Sequence, residues 1–272
     1  MNSFARRCQA VRHDIVDMAE SAKRGHIPSA LSLVEILVSL YDYHLHFDAN
    51  QPLDPDRDRL ILSKGHGCMA LYALLADKGF FPKAWCQAFC AFEGMLGGHP
   101  EERVPGVEAT TGSLGHGLAI GIGMALAGRM QKRNFHTYII LGDGECTEGS
   151  VWESALAASK HKLDNLTVLV DFNGWMSFGP TQEVGNLEPF EHKWNAFGFA
   201  TQTVDLNKEP EALVSALNVK VPGKPRCFIC KTIKGKGIDF MEGNLDWHHK
   251  SKLDADEIAA MRQSLKRSEG HA

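Results

Sequence analysis

Asp143, Glu145 and Glu148 crowd a glycine turn in LGDGECTEGSVWESA, just after an apolar run, and Asn173 closes the next apolar run thirty positions beyond Asp143. A carboxylate and an amide oxygen, with a backbone carbonyl nearby, form a hard-oxygen set suited to Mg2+ or Ca2+ and still open to phosphate and water. The glycines let the main chain approach that phosphate closely. The same residues also suit a plain turn with an N-cap followed by a strand end, and these two positions alone leave both readings open. Lys234 and Lys236 in KGKG either offer charge to a phosphate or keep a loop soluble. Cys227 and Cys230 have the spacing of half a zinc site, but a structural site wants a second Cys or His pair, so two small residues in a buried strand is the preferred reading.

For the oxygen site to form, Asp143 and Asn173 must meet at one edge of a sheet. Short apolar strand candidates are RLILS (Arg59 to Ser63), HTYIIL (His136 to Leu141), NLTVLVDF (Asn165 to Phe172), ATQTVD (Ala200 to Asp205) and RCFICKTI (Arg226 to Ile233). Helices are expected over Phe4 to Lys23, Leu31 to His44 with Ser32 and Glu35 at capping-box spacing, Cys68 to Lys78, Lys83 to Phe92, and the closing DADEIAAMRQSLK. Apolar strands alternating with helices imply an α/β fold, a parallel sheet with helices on both faces, whose ligands bind beyond the carboxyl ends of the strands. One crossover helix, SVWESALAASKH, then sets Asn173 beside Asp143. Glycines 117, 121 and 128 in the run LAIGIGMALAG and its flank weaken a helix by roughly 1 kcal/mol each relative to alanine. Close backbone approach is needed to explain them, and a helix contact between subunits would supply it.

With 272 residues, 44% apolar and 23% charged, the chain can bury a full core, and one domain over 1–272 is expected. A formal net charge of −4 gives no global basic field, which argues against nucleic acid or an anionic membrane surface as partner. The longest apolar stretch falls short of the roughly 20 residues that span a bilayer. Seven cysteines and an N-terminus without an apolar signal core make a cytoplasmic location the expectation.

GDG followed about thirty residues later by Asn resembles the thiamine diphosphate motif, and GDGECTEGSVWESA resembles its transketolase form. RGHIPSALS, LSKGHGCMALY, GGHPE, TTGSLGHGLAIGIGMALA, and KTIKGKG followed by WHH agree with it in order, from residue 26 to residue 248. The chain resembles the N-terminal, thiamine diphosphate-binding subunit of a split transketolase, a PP-type domain. The resemblance implies that Asp143, Asn173 and the carbonyl of Trp175 bind Mg2+ or Ca2+, and that Gly144, Asn173 and the backbone of Gly112, Ser113 and Leu114 hold the cofactor's diphosphate. It places His66 and His248 on that diphosphate side. It makes His26, His99 and His248 catalytic, lining the sugar channel and moving protons. Glu148 and Glu153, counted with the cofactor-binding set, match acids that the family places at the subunit interface.

The pattern departs from long transketolases at three places. Ile27 and Pro28 follow His26 where Pro-Gly is usual, His116 stands where Gln is common, and Gly174 follows Asn173 where a larger residue is usual. No role is assigned to His116 or His249. The family's second domain carries the glutamate that activates the cofactor's aminopyrimidine and most of the residues that grip the substrate phosphate, and no segment here matches it. The resemblance therefore implies a separate C-terminal subunit, sugar or sugar phosphate substrates, and a two-plus-two heterotetramer performing ketol transfer. Half of a deoxyxylulose phosphate synthase, an oxo-acid dehydrogenase component, and a non-catalytic thiamine diphosphate-binding module are the alternatives. Glu148 and the SKGH and GHPE histidines favour transketolase over the first two, and the full set of histidines argues against the third.

Overall fold

Five parallel strands carry the molecule: β1 (Arg59–Leu62), β2 (Thr137–Gly142), β3 (Leu166–Phe172), β4 (Ala200–Asp205) and β5 (Arg226–Lys231), in the sheet order β1-β2-β3-β5-β4. The computed structural model describes residues 2–248, 250 and 252–269, so His249 lies outside the described residues. The helices are α1 (Ser3–Ala22), α2 (Ile27–Leu31), α3 (Val34–Tyr43), α4 (Cys68–Asp77), α5 (Ala84–Gln87), α6 (Gly117–Met130), α7 (Gly149–Lys160), α8 (Thr181–Val184), α9 (Phe190–Ala196), α10 (Ala212–Leu217) and α11 (Ala255–Glu269). Among the described residues no helix is long and apolar enough to cross a membrane.

β1, β2, β3 and β5 are apolar on both sides because each faces a core on both sides, whereas the edge strand β4 is mostly polar and half-exposed. Leu60, Leu62, Tyr138, Ile140, Leu169, Phe228 and Cys230 join one buried cluster with α1, α3, α4, α10 and α11. The alternate residues Ile61, Ile139, Leu141, Val168, Val170, Cys227 and Ile229 join a second with α6, α7 and α9. A period of two splits each of these four apolar strands between the two layers. Cys227 and Cys230 are both fully buried in β5.

Two helices differ from their sequence expectation for tertiary reasons. The span from Leu31 to His44 breaks at Ser32 and Leu33, and no capping box forms. Ser32 Oγ instead donates to Asp171 Oδ2 at 2.6 Å, and Glu35 accepts from Arg12 Nη2 at 2.7 Å and pairs with Lys236 at 3.0 Å. The helix expected over Lys83 to Phe92 reduces to α5, because Cys90 takes a left-handed conformation (φ 56°) and its N–H turns back to the Leu96 carbonyl at 2.8 Å.

The glycines of α6 are explained within this chain. A Cβ at Gly117 would come within 2.4 Å of Ser63 Oγ, at Gly121 within 2.6 Å of Ile139, and at Gly128 within 2.7 Å of Phe135. Close approach to the chain's own sheet, rather than to another subunit, requires them. Gly123 alone has open space around it.

Candidate active site

The carboxyl ends of β2, β3 and β5 meet where the sequence requires. Gly142 pairs with Asp171 across β2 and β3, so Asp143 and Asn173 lie just past the ends of adjacent strands. Asp143 is buried, and its carboxylate accepts from the N–H groups of Gly144 (2.9 Å) and Gly174 (2.7 Å) and from Thr181 Oγ1 (3.1 Å). Burial and the neighbouring Asp171 push its carboxyl up to about 6. Asn173 Oδ1 accepts from the Trp175 N–H at 3.1 Å, while the Trp175 carbonyl takes no hydrogen bond from the described residues. A buried carboxylate held only by neutral donors, beside an amide oxygen and a spare carbonyl, fits a hard cation completed by phosphate and water. Among the described residues no three His, Cys, Asp or Glu gather as a self-sufficient cage.

Asp171, not foreseen in the sequence, is the hub beneath this edge. It is fully buried and accepts from Ser32, Thr232 and Lys64. Burial alone would raise its carboxyl, but Lys64 and the hydrogen bonds hold it below the ordinary carboxylate range. Its Oδ2 also accepts from Asn173 Nδ2 at 3.1 Å, which fixes the Asn173 amide at this edge.

Glu145 belongs to the same motif and is an anchor rather than a ligand. Its Oε1 accepts from Ser63 and from the Gly115 N–H at 2.8 Å, and its Oε2 from the Gly142 N–H at 3.1 Å. One buried side chain thus ties together the ends of β1 and β2 and the loop of Gly112, Ser113 and Leu114. Gly115 needs its left-handed φ of 84°, since a Cβ there would meet Glu148 Cβ at 2.8 Å and Ser150 Oγ at 2.5 Å. Ser113 and Leu114 are exposed on that loop, and Gly144 is half-buried.

A cavity of about 530 Å3 is lined by His26, His66, and Gly97, Gly98 and His99 of the GGHPE loop. The His26 ring lies 5.7 Å from that of His66 and 6.3 Å from that of His99, centre to centre. Pro28 in the first turn of α2 starts the helix directly after His26, and Tyr72 OH and Cys68 Sγ hold the His99 loop through the His99 and Gly98 carbonyls at 2.8 and 3.2 Å. Burial, then Lys64, pushes the His66 imidazole well below its usual range, so it stays neutral. His248 is buried away from that cavity's lining, with Lys234 Nζ 2.8 Å from its Nε2. Burial and Lys64 bring Lys234 down to about 7, with Asp143 and Asp171 opposing.

The structure therefore groups Asp143, Asn173, Gly144 and Trp175 at one edge, His26, His66 and His99 on one cavity, and His248 with Lys234 as a separate buried pair. The two KGKG lysines divide, Lys234 turning inward and Lys236 pairing with Glu35 and the Leu206 carbonyl at 2.9 Å. Glu148 and Glu153 are exposed at the start and on the outer side of α7. His116 is exposed at the start of α6, its ring against the Leu114 carbonyl at 3.0 Å. Lys64 and Lys234 sit inside the SKGH and KGKG motifs, and their adjacency to His66 and to the glycine turn was the available signal.

An α/β layer with this oxygen edge and histidine cavity defines a thiamine diphosphate-binding module. The family described as "Transketolase, thiamine diphosphate binding domain" matches residues 4–269, and the chain belongs to the transketolase family. It is 39% identical to one of the subunits of the apulose-4-phosphate transketolase of Phocaeicola vulgatus, over 88% of this chain and 85% of that one. To a 6-deoxy-6-sulfo-D-fructose transketolase subunit of a Clostridium species it is 43% identical, over 83% of this chain and 82% of that one. The Pichia stipitis transketolase solved with sedoheptulose 7-phosphate superposes with a TM-score of 0.89 at 29% identity, covering 97% of this chain and 40% of the longer one.

Proposed function

We propose that this chain is the thiamine diphosphate- and Mg2+-binding half of a two-chain transketolase that moves a two-carbon ketol unit from a phosphorylated ketose to an aldose. The observation that carries this reading is the joining of two sites. The rings of His26, His66 and His99 gather on one cavity, and Lys64, two residues before His66, pairs with Asp171 beneath the Asp143 edge. A module that only bound the cofactor would need the edge and not the histidines.

In this reading Asp143, Asn173 and the Trp175 carbonyl hold the metal. Gly144, the backbone of Gly112 to Leu114, His66 and Lys234 hold the diphosphate. Thiamine diphosphate, when bound, supplies the carbanion sink for breaking the ketol bond. His26 and His99 hydrogen-bond the sugar hydroxyls and carry protons to and from them, work suited to imidazole near neutral pH, while His248, set off that cavity's lining beside Lys234, serves the diphosphate side. The glutamate that activates the aminopyrimidine comes from a separate C-terminal subunit, in a cytoplasmic two-plus-two assembly. Both relatives compared above are named as subunits, which supports a partner chain.

The test is a ketose-donor assay with thiamine diphosphate and Mg2+, first of this chain alone and then after mixing with a C-terminal transketolase subunit encoded beside it. Activity only on mixing is the expected result. Metal-dependent binding of the cofactor without transfer under any mixing would reduce the chain to a binding module.

A further inference from the structure

The histidine cavity has a charge bias that the ketol chemistry does not use. Arg24, Arg103 and Lys250 line it together with the histidines, and no Asp or Glu among the described residues does, in a chain whose formal net charge is −4. Two of these cations are already neutralised. Arg103 Nε pairs with Glu101 Oε2 at 2.8 Å, and Lys250 pairs with Glu257. Arg24 is exposed and has no carboxylate partner among the described residues.

Its backbone, by contrast, is fixed. Lys23 before it is left-handed (φ 54°) and accepts from the Leu253 N–H at 3.0 Å, and Gly25 after it has φ 144° with Met69 Sδ 2.7 Å from where a Cβ would stand. The turn that ends α1 thus presents a free guanidinium on a rigid stem, two residues before His26, into the same cavity. A free exposed arginine is ordinarily a solvated charge, and only its position on the cavity wall makes it more than that. A guanidinium offers forked donors that match a tetrahedral oxyanion bidentately, which an ammonium cannot do.

We propose that Arg24 is a specificity residue that selects sugars bearing a terminal phosphate or sulfonate, gripping that oxyanion while His26 and His99 face the sugar's hydroxyls. This rests on the ketol-transfer reading for its choice of sugars, but one of its two readouts does not depend on turnover. Arg24→Gln and Arg24→Lys are made in the full chain, and a ketose phosphate, a ketose sulfonate and the matching neutral ketose are compared. In the assembled enzyme Arg24→Gln lowers kcat/KM by about tenfold or more for an oxyanion-bearing sugar, mostly through KM, and leaves the neutral sugar unchanged. Arg24→Lys recovers part of the loss. Raising the ionic strength erodes the wild-type preference and leaves the Gln variant flat.

Calorimetric binding of the same sugars to the full chain gives the second readout. An oxyanion preference in binding that Arg24→Gln removes, with no ketol transfer in any mixture, sustains Arg24's role and sinks the transferase reading. No oxyanion preference in the wild type, or an equal loss for neutral and charged sugars, overturns the Arg24 assignment while leaving ketol transfer standing.

Discussion

Asp143 and Asp171 stand at the ends of neighbouring strands, yet the protein leaves only one of them uncompensated. Asp171 is neutralised by Lys64 and two hydroxyls, whereas Asp143 has neutral donors alone and is pushed up to about 6 by burial and by Asp171. In the proposed function a metal ion supplies the missing positive charge. Asp143→Asn is therefore expected to weaken Mg2+-dependent thiamine diphosphate binding by at least about 100-fold, more than the loss typical of residues that only support a ligand. Calorimetric titration of the variant checks this, and unchanged affinity would remove the metal assignment. The pH dependence has a definite sign. The folded carboxyl sits above its unfolded value of about 4, so Asp143's contribution to the stability of the cofactor-free chain is full below about pH 4 and is lost as pH rises through 6. Metal binding needs the anion, so cofactor affinity should fall by up to about tenfold per pH unit below 6, measured by the same titration across pH 5 to 7.5. For His26→Ala and His99→Ala the expectation is different. Both should lower kcat and kcat/KM together by about 10²- to 10⁴-fold with cofactor affinity kept, since their rings line the histidine cavity rather than the Asp143 edge.

Between residues and the whole chain, the loops after β1 and β2 act as one element through Glu145. Three donors, from Ser63, Gly115 and Gly142, converge on its buried carboxylate. Glu145→Ala orphans them all, and a stability loss of about 3 kcal/mol or more is expected by urea denaturation, together with weaker cofactor binding because the Gly112 to Leu114 loop is released. Glu145→Gln, which keeps an acceptor, should restore most of the stability. If both variants fold as firmly as the wild type, the anchoring role is wrong. The strands and the meeting of Asp143 with Asn173 were readable in the sequence, because apolar runs and a crossover helix of that length have few arrangements. What stayed hidden were contacts between residues far apart in the chain. Ser32 and Glu35 have capping-box spacing, but Asp171, Arg12 and Lys236 offered buried partners that outweighed a local cap. Lys64 and Asp171 pair across 107 positions, and neither segment announces that its charge will be buried. Glu145 read as one of three crowded acids, and only the fold shows that it points at backbone N–H groups.

At the scale of the whole molecule, the helices that flank the Gly112 to Leu114 loop leave an apolar strip without a partner. Met130 is 83% exposed, Leu156 59% and Ile120 38%, with Leu114 on the loop itself and open space at Gly123. Glu148 and Glu153 stand exposed on the neighbouring α7. Scattered exposed apolar residues are ordinary, but in the proposed function those nearest the Gly112 to Leu114 loop, Leu114 and Ile120, stand where a second subunit would complete the site. The glycines pressed onto the sheet do not account for it, since Gly117, Gly121 and Gly128 point the other way. We therefore expect Ile120→Glu combined with Leu156→Glu to leave this chain's fold and melting temperature nearly unchanged, because neither side chain is in either core cluster. The same pair of charges should prevent a two-plus-two assembly, since desolvating an unpaired carboxylate at an interface is costly. Light scattering of the mixture with the C-terminal subunit reads the mass, and the ketose-donor assay on the same samples reads the consequence. Loss of assembly with loss of transfer would identify the strip as the surface that completes the active site. A full-mass, active complex from the charged variant would place the interface elsewhere on the molecule.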